Sequence, residues 1–532
     1  LFALALIVIA VGANLPSLDG WWGTDDPQIL LHAIRNTPFE TLASSAAWQT
    51  LSTSSFTPLV TLSFEIDRVL FGLRPLFYYQ HQLLAIAVCV LLLYLLLEPV
   101  TGRPIAFLTA AAAGAGPAMA LAAESLMIRH YVEGLALALA ALVVWRSGEP
   151  DRIAPGREIA AAILYLLAML AKEIYAPLPL LFLADGLARR VPLRATLARL
   201  VPASAAAAVY LVWRTAMLGA IGGYGDAAAA GSIFGAAWHL YQRLHASSPV
   251  WIVLGVPVLA LVAIVAALRV RPRATALVTI ATFVALALPL VPVAGLAEAR
   301  YAFLPGIAAV VLVGLGLAQW PRRAAVAAGV LLLVLQAVAG FHLHESLEEA
   351  NAHGVAEGRY VWEEPASAPP LLAQSPAWYL TGLRELRQRS GDGAAPPFYL
   401  SREALLVGAV EPEEVVQVRA GGMPYRDPDL VAWILDARAR FDGSIAASVS
   451  AEREGDVIRW NLSPQAARFT WLTVPEYDEY SIPPAGSRRI PEPVGPQHFR
   501  ILVEVPGADG RTRWNVTPVL EVPSEGEVVR WP

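Results

Sequence analysis

The sequence predicts an all-α polytopic membrane domain of about eleven transmembrane helices, followed by an extracytoplasmic α+β tail that ends in a small β-sandwich. Three observations carry that prediction. The 532 residues are 56% hydrophobic and 16% charged, with mean hydropathy +0.52, against roughly 25% charged residues in soluble domains. Apolar runs recur through residues 1–341 at lengths that suit bilayer spans. Beyond about residue 342 the composition turns polar, and from about 440 short alternating runs are separated by Gly- and Pro-rich turns. The expected domains are therefore 1–341, a linker and helical region at 342–439, and a β-sandwich at 440–532.

Composition excludes several classes. A net charge of −5 argues against a bulk nucleic-acid partner. The single cysteine, Cys89, rules out an intrachain disulfide. Arg is abundant and Lys172 is the only lysine, a usage that reads as the bias of a GC-rich bacterium. The chain opens at Leu1 inside an apolar run, with no small-residue cleavage site before a soluble domain, so a cleaved signal peptide is not expected.

The expected spans are 1–17, 76–97, 104–123, 131–146, 158–171, 175–187, 196–218, 250–268, 274–292, 301–319 and 324–341. The run 158–187 is too long for one crossing and short for two. Arginines decide it. Arg146, Arg152 and Arg157 precede the run, and Arg189, Arg190, Arg194 and Arg199 follow it, so both flanks belong on the cytoplasmic side. The segment must enter and return as two short helices, with Lys172 and Glu173 at the far turn. Arg269, Arg271, Arg273, Arg322 and Arg323 continue the alternation. A multi-pass protein of a bacterial inner membrane follows, with its N-terminus cytoplasmic and its C-terminal tail periplasmic. The large outer loops are 18–75 and 219–249, the latter with an interfacial helix FGAAWHLYQRLH.

In the tail, HESLEEANAHGVAEG reads as a polar linker and SPAWYLTGLRELRQRS as a helix with a Ser-Pro start. The runs DVIRWNL, RFTWLTV, HFRILVEV, TRWNVTPVLEV and EVVRW read as sandwich strands. Trp460, Trp471 and Trp514 are taken as sandwich core in preference to glycan contacts. NLS at 461–463 and NVT at 515–517 are treated as chance matches to the glycosylation pattern.

Polar residues gather at expected outer span ends. In GWWGTDDPQILLHAIRN, Pro27 suits the first helical turn and makes Asp26 the N-cap, leaving Asp25 as the candidate base or metal ligand. FTPLVTLSFEIDRVLFGLRPLFYYQHQL places Glu65, Asp67 and Arg68 on an amphipathic helix and His81 in the next span; His81 taken alone reads as an interfacial anchor. ALAAESLMIRHYVEG carries Glu124, Arg129, His130 and Glu133, and charges this close to apolar spans are expensive unless paired or used. LAKEIYAPLPLL carries Lys172 and Glu173; EARYAFLPG carries Glu298, Arg300 and Tyr301. Arg214 sits about one turn inside a span end, where snorkelling is the ordinary reading. Together these acids and bases describe a half-buried outer cavity that could hold an anionic headgroup and run acid–base chemistry.

The ordered set of these motifs, over roughly residues 20–310, resembles the GT-C superfamily of glycosyltransferases. The branch it is most similar to holds the transmembrane and tetratricopeptide-repeat O-mannosyltransferases and their bacterial relatives. The resemblance implies transfer of a sugar from a polyprenyl- or dolichyl-phosphate carrier to an acceptor hydroxyl, with inversion at the sugar carbon. It implies catalytic roles for Asp25, Asp26 and Glu124, with Asp25 and Asp26 as ligands of a divalent cation such as Mg or Mn. It implies phosphate binding by Lys172, Arg300 and Arg214, supported by Glu173, Glu298, Tyr301 and His81. The implied partners are the lipid-linked sugar donor, a protein, glycan or lipid acceptor, membrane lipids, and proteins docking on the C-terminal domain. The chain departs from that branch at Thr57, where the branch has Arg before Pro-Leu, and in lacking the repeats. Those departures motivate an alternative, a non-catalytic GT-C-fold subunit that is structural or lipid-binding. A transporter ranks last, because the ionisable residues cluster at one face and no inverted repeat of broken helices is visible. Lys172 itself fits a phosphate at close quarters: a compact ammonium with three donors enters where a guanidinium fork would not.

Overall fold

In the computed structural model, the described residues are 2–52, 54–148, 154–219, 299–408, 410–442, 445, 448–454, 457–463, 467–474, 479–482, 484–489, 498–507, 509–522 and 528–531. The expected spans 250–268 and 274–292, the 219–249 helix, Arg152 and Glu298 lie outside the described residues, apart from Gly219. The chain divides into two compact units, Leu1–Ala350 and Asn351–Pro532.

The first unit is helical: α1 Phe2–Ala13, α2 Asp26–Arg35, α3 Pro38–Ala43, α4 Ser45–Gln49, α5 Pro58–Phe71, α6 Pro75–Thr101, α7 Arg103–Ala115, α8 Pro117–Glu124, α9 Arg129–Arg146, α10 Pro155–Ala171, α11 Leu178–Ala188, α12 Leu193–Leu218, α13 Phe303–Leu317 and α14 Arg322–Glu363. Pro opens α5, α6, α8 and α10, where its missing N–H costs nothing and its fixed φ suits the first turn. Gly72, at φ 66°, ends α5 and begins the Gly-Leu-Arg-Pro turn that the sequence predicts. Five stretches are long and apolar enough to cross a membrane: Pro75–Thr101, Arg103–Glu124, Leu126–Arg146, Leu193–Leu218 and Arg322–Glu363. The chain is thus a multi-pass membrane protein. The second of these stretches is broken at Gly116–Pro117, because Pro117 cannot continue the α7 hydrogen-bond ladder. Helices α1, α10 and α11, of 12, 17 and 11 residues, fall short of the roughly 20 that a full crossing needs. The described helices therefore do not carry all of the expected eleven full spans.

The awkward run resolves as a helical hairpin. Helix α10 rises about 25 Å from Pro155 over its 17 residues. It stops at Lys172, whose backbone is extended (φ −157°, ψ 133°); a 3-10 turn over Glu173–Tyr175 follows, and Pro177 leads into α11. The two free ends of the hairpin meet again. Arg199 pairs with Glu158 at 3.0 Å, Arg146 with Asp185 at 3.1 Å, and Arg189 donates to the Gly148 carbonyl at 3.2 Å. The Trp145 ring stacks on Phe182 and lies under the Arg199 guanidinium at 4.1 Å. Both arginine-rich flanks thus stand at one end of the bundle, as charge placement predicts, with Lys172 at the other. Gly134 on α9 packs against the Tyr175 ring, leaving no room for a side chain, and the Tyr175 hydroxyl donates to the Tyr131 carbonyl. One continuous core of residues from α1, α4 and α6–α14 holds the bundle together.

HESLEEANAHGVAEG is helical rather than linker-like: α14 runs through it to Glu363, and the boundary between the units falls inside α14. Its Ala, Glu and Leu favour helix, and two of its polar residues are fully engaged, His344 in the first unit and Glu357 in the second.

The second unit opens as a small α/β fold: the helices expected within 342–439 are joined by short strands that were not expected. Its elements are β1 Leu371–Leu372, α15 Ala377–Ser390, β2 Phe398–Tyr399, α16 Arg402–Val407, β3 Gln417–Val418, β4 Pro424–Tyr425 and α17 Pro428–Ala439. Helix α15 matches the Ser-Pro start predicted for it. Strand β1 pairs in parallel with β2, and Leu371 bridges in parallel to Val416 at the entry to β3. The spatial order is therefore β2-β1-β3. Two antiparallel sheets follow. One runs β11-β10-β7-β8 with β12 on β10, and the other β13-β5-β6-β9, where β5 is Ser448–Glu454, β6 Val457–Ser463, β7 Arg468–Val474, β8 Glu479–Ile482, β9 Ala485–Arg489, β10 His498–Pro506, β11 Thr512–Val516, β12 Leu520–Glu521 and β13 Val528–Trp531. Val449, Ile458, Trp460 and Leu462 of one sheet share a core with Phe469, Phe499, Ile501 and Val503 of the other, the arrangement of a sandwich. Trp460 and Trp514 are buried, at 8% and 6% exposure, consistent with core roles. The side chain of Trp471 lies outside the described residues.

Candidate functional site

The break at Lys172 turns a helix interior into a site. The Lys172 ammonium, 10% exposed, donates to Ser55 Oγ at 3.0 Å and lies 3.5 Å from Glu173 Oε1. It also stands 5.8 Å from the centroid of the Tyr131 ring. Arg214 reaches the other oxygen of the same carboxylate at 3.9 Å and donates to the Ser54 carbonyl at 2.8 Å. Ser55 Oγ lies 3.4 and 3.3 Å from the two Glu173 oxygens. Two cations therefore share one carboxylate at a buried turn. Burial pushes the Glu173 carboxyl up, but Lys172 and Arg214 together outweigh it and hold the group below its ordinary range. Glu173 engages Lys172 and Arg214 together. Arg214 is 4% exposed, so it is built into the cluster and does not snorkel.

Arg300 lies in the turn Ala299–Ala302, its Nη1 3.1 Å from Met127 Sδ and its guanidinium 5.7 Å from the Tyr301 ring. Tyr301 is 7% exposed. His130, on the first turn of α9, feels the charges of both Lys172 and Arg300, and its buried Nδ1 has no hydrogen-bond partner among the described residues. Lys172 and Arg300 thus both bear on His130, and with Arg214, which shares Glu173 with Lys172, they make one positively biased neighbourhood.

The acidic pair divides its roles differently from the sequence expectation. Asp25, not Asp26, stands at the N-cap position of α2, and its side chain makes no capping bond. Asp26 is the first residue of the helix and is fully buried; its Oδ2 accepts the Gly23 N–H at 2.6 Å and its Oδ1 has no partner. The reason is local: the loop folds back at Gly23 and consumes the second carboxylate rather than the first. Burial raises the Asp26 carboxyl to about 7, the Gly23 N–H opposes this, Asp25 adds to it and Arg129 counters it.

Arg129 anchors a second network. It is fully buried, paired with Asp67 at 2.5 Å, donating to Ser63 Oγ at 3.2 Å and the Tyr78 carbonyl at 2.7 Å, and over the Phe64 ring at 4.6 Å. His81 is part of it rather than an interfacial anchor, at 2.8 Å from Asp67 and 3.8 Å from Glu133. Glu133 accepts from Ser63 at 2.5 Å. Ser63 and Asp67 on α5, and Arg129 and Glu133 on α9, are i,i+4 pairs, and that spacing was the signal by which this network could have been read.

Glu124 stands apart from both groups. Its Oε1 pairs with His344 Nδ1 at 2.5 Å, and His344 Nε2 lies 3.3 Å from Asn14 Oδ1. Asn14, Ser55 and His344 are the residues that sequence reasoning missed. Asn14 and His344 lie far from Glu124 in sequence, and no local spacing announces them. Among the described residues no group of three or more His, Cys, Asp or Glu could hold a metal ion. Among the described residues Asp25 and Asp26 have no third ligand beside them, and the Asp26 carboxylate is buried where its charge is costly. The described residues around Asp25 and Asp26 do not fit a bound divalent cation.

No protein-family model matches the chain, and no curated protein does. Among solved structures, it is similar to the crystal structure of ArnT from Cupriavidus metallidurans bound to undecaprenyl phosphate, with TM-score 0.45 and 13% identity over 81% of this chain and 94% of that one. The apo state of the same protein gives TM-score 0.42 and 14% identity, again over 81% and 94%.

Proposed function

We propose that this chain is a GT-C-type glycosyltransferase that moves a sugar from a polyprenyl-phosphate carrier to an acceptor hydroxyl on the extracytoplasmic face of a bacterial inner membrane. The observation that carries the reading is the turn at Lys172, where two buried cations share one carboxylate at the end of the bundle opposite the arginine-rich flanks. Arginine-rich ends face the cytoplasm, which puts Lys172 outward. The excess positive charge suits a phosphate, which accepts charge-assisted hydrogen bonds from Lys172 and the guanidinium forks of Arg214 and Arg300. The ordered motifs over roughly residues 20–310 support the same family.

In the proposed step, Asp25 takes the proton of the acceptor hydroxyl, whose oxygen forms the new bond to the anomeric carbon from the face opposite the carrier. The bond from that carbon to the carrier's phosphate oxygen breaks, and its electron pair stays on the phosphate, where the three cations stabilise it. The product is inverted. Asp25 suits the base because its side chain is half-exposed and makes no cap bond, whereas Asp26 is buried and pins the loop through Gly23. Purified protein supplied with a polyprenyl-phosphate sugar and its acceptor tests this. Asp25→Asn should abolish transfer while leaving the fold intact; retained transfer would sink the assignment. A lipid phosphate co-purifying with the wild-type protein by mass spectrometry is the second expected result. Its absence together with co-purification in a fixed stoichiometric complex would favour the non-catalytic reading.

A further inference from the structure

The α/β part of the second unit holds a cleft that none of the foregoing uses. Its volume is about 500 Å3. It opens at the carboxyl end of the parallel strands, where β1 sits between β2 and the β3 segment. The backbone makes this switch explicit: Ala373 N–H donates to the Tyr399 carbonyl at 2.8 Å on one side, and Leu372 N–H to the Val416 carbonyl at 2.8 Å on the other. Chain leaving β1 toward α15 and chain leaving β2 toward α16 part at that point. Crevices of this kind, outside the carboxyl ends at a reversal of strand order, are where open parallel sheets take ligands.

We propose that this cleft binds a saccharide unit. Its polar lining is Gln374, Arg402, Gln417, Asp427, Asp429 and Trp433. The Arg402 guanidinium stacks over the Trp433 ring at 4.7 Å, a flat wall rich in donors. The Gln374 amide carries donors and an acceptor side by side, Gln417 offers its amide donors while its oxygen accepts the Tyr425 hydroxyl, and the two carboxylates are acceptors only. That alternation matches ring hydroxyls, each of which both donates and accepts. The floor is apolar, with Leu372 and Leu430 buried at 8% and 9% exposure, and it suits the C–H face of a pyranose. Two carboxylates against one guanidinium disfavour a phosphate or carboxylate ligand. The Gln374 side of the cleft is held in place: buried Glu357 accepts the backbone N–H groups of Gln374 and Ser375, both at 2.8 Å. The site would hold acceptor or product glycan, but its chemistry does not rest on the transferase reading.

Ligand-observed saturation-transfer NMR on the full chain in nanodiscs, with a panel of methyl hexosides and pentosides, tests it. One bound ring should give affinity in the millimolar range, from the binding energy available per ligand atom. Gln374→Ala and Asp429→Asn, both on exposed side chains, should each weaken the signal about tenfold. Asp25→Asn, in the other unit, should leave it unchanged, which separates failure of this site from failure of the transferase assignment. The proposal is overturned if no glycoside binds into the tens of millimolar, if binding survives both tail variants, or if inorganic phosphate displaces the glycoside.

Discussion

Replacing Lys172 by Met removes the ammonium while keeping most of the side chain's length and volume. The structure sets the scale of two separable effects. Glu173 loses its 3.5 Å partner but keeps Arg214 at 3.9 Å and Ser55 at 3.3 Å, so it is not stranded. The stability cost should be that of weakened solvation of one part-buried carboxylate, about 1–3 kcal/mol. Loss of a charge-assisted hydrogen bond to a lipid phosphate should cost about 1.5–3 kcal/mol, or about 10- to 150-fold in affinity. Native mass spectrometry of the purified protein with polyprenyl phosphate reads the affinity, and thermal unfolding in detergent reads the fold. Lys172→Arg should fall between wild type and Met, because it keeps the charge but brings a wider head into a space already shared with Arg214 and Tyr131. A folded Met variant that binds within about twofold of wild type would refute the phosphate role of Lys172.

Four further outcomes follow from the same geometry. Asp26 has its carboxyl raised from 3.8 to about 7, so the folded state holds a proton that the unfolded chain releases; the penalty for ionising it grows as pH rises from about 4 to about 7 and is at most about 4 kcal/mol. Asp26→Asn should therefore flatten the loss of thermal stability between those pH values, and an unchanged slope would contradict it. Arg129→Met should destabilise by about 3–5 kcal/mol by leaving Asp67 buried without its cation, and adding Asp67→Asn should restore part of the loss in equilibrium unfolding. Gly358→Ala should cost about 1–3 kcal/mol, because the added methyl meets the Tyr379 hydroxyl. Glu124→Gln should lower thermal stability while leaving the initial rate of sugar transfer in the folded fraction within about twofold.

Much of the helical unit was legible because its signals are local. Pro at helix starts, Gly72 at a helix end and the arginines around 146–199 each act within a few residues or at one end of a span. The meeting of Lys172 with Glu173 and Arg214 was also within reach, since all three were singled out as charged residues at expected outer span ends. What failed depended on tertiary choice. Asp25 takes the N-cap position expected of Asp26, and Asp26 is buried against Gly23, because the chain folds back there, which no spacing encodes. The stretch after 342 looked like a linker because its surface charge conceals His344 and Glu357, two residues whose partners lie far off in sequence or in the next element. The parallel strands of the tail were invisible because β1 and β2 have two residues each, too short for any period to show.

Glu124, to which the resemblance gave a catalytic role, stands in a hydrogen-bond chain with His344 and Asn14. Asn14 spends both amide hydrogens, on the Ala10 carbonyl at 2.7 Å and the Gly114 carbonyl at 2.9 Å. The oxygen turned toward His344 Nε2 can therefore only accept, and Nε2 must carry a hydrogen. His344 Nδ1 then meets Glu124 at 2.5 Å with one proton between them, as imidazolium against carboxylate or as imidazole against carboxylic acid. In either form the Glu124 oxygen that faces the histidine is already committed. A general base needs a free lone pair aimed at substrate; Glu124 offers this one to a buried ring on α14. Its chemistry is that of a clasp joining α8 to α14 through His344, and through Asn14 to the end of α1. The proposed reaction gives the proton transfer to Asp25, whose side chain makes no cap bond.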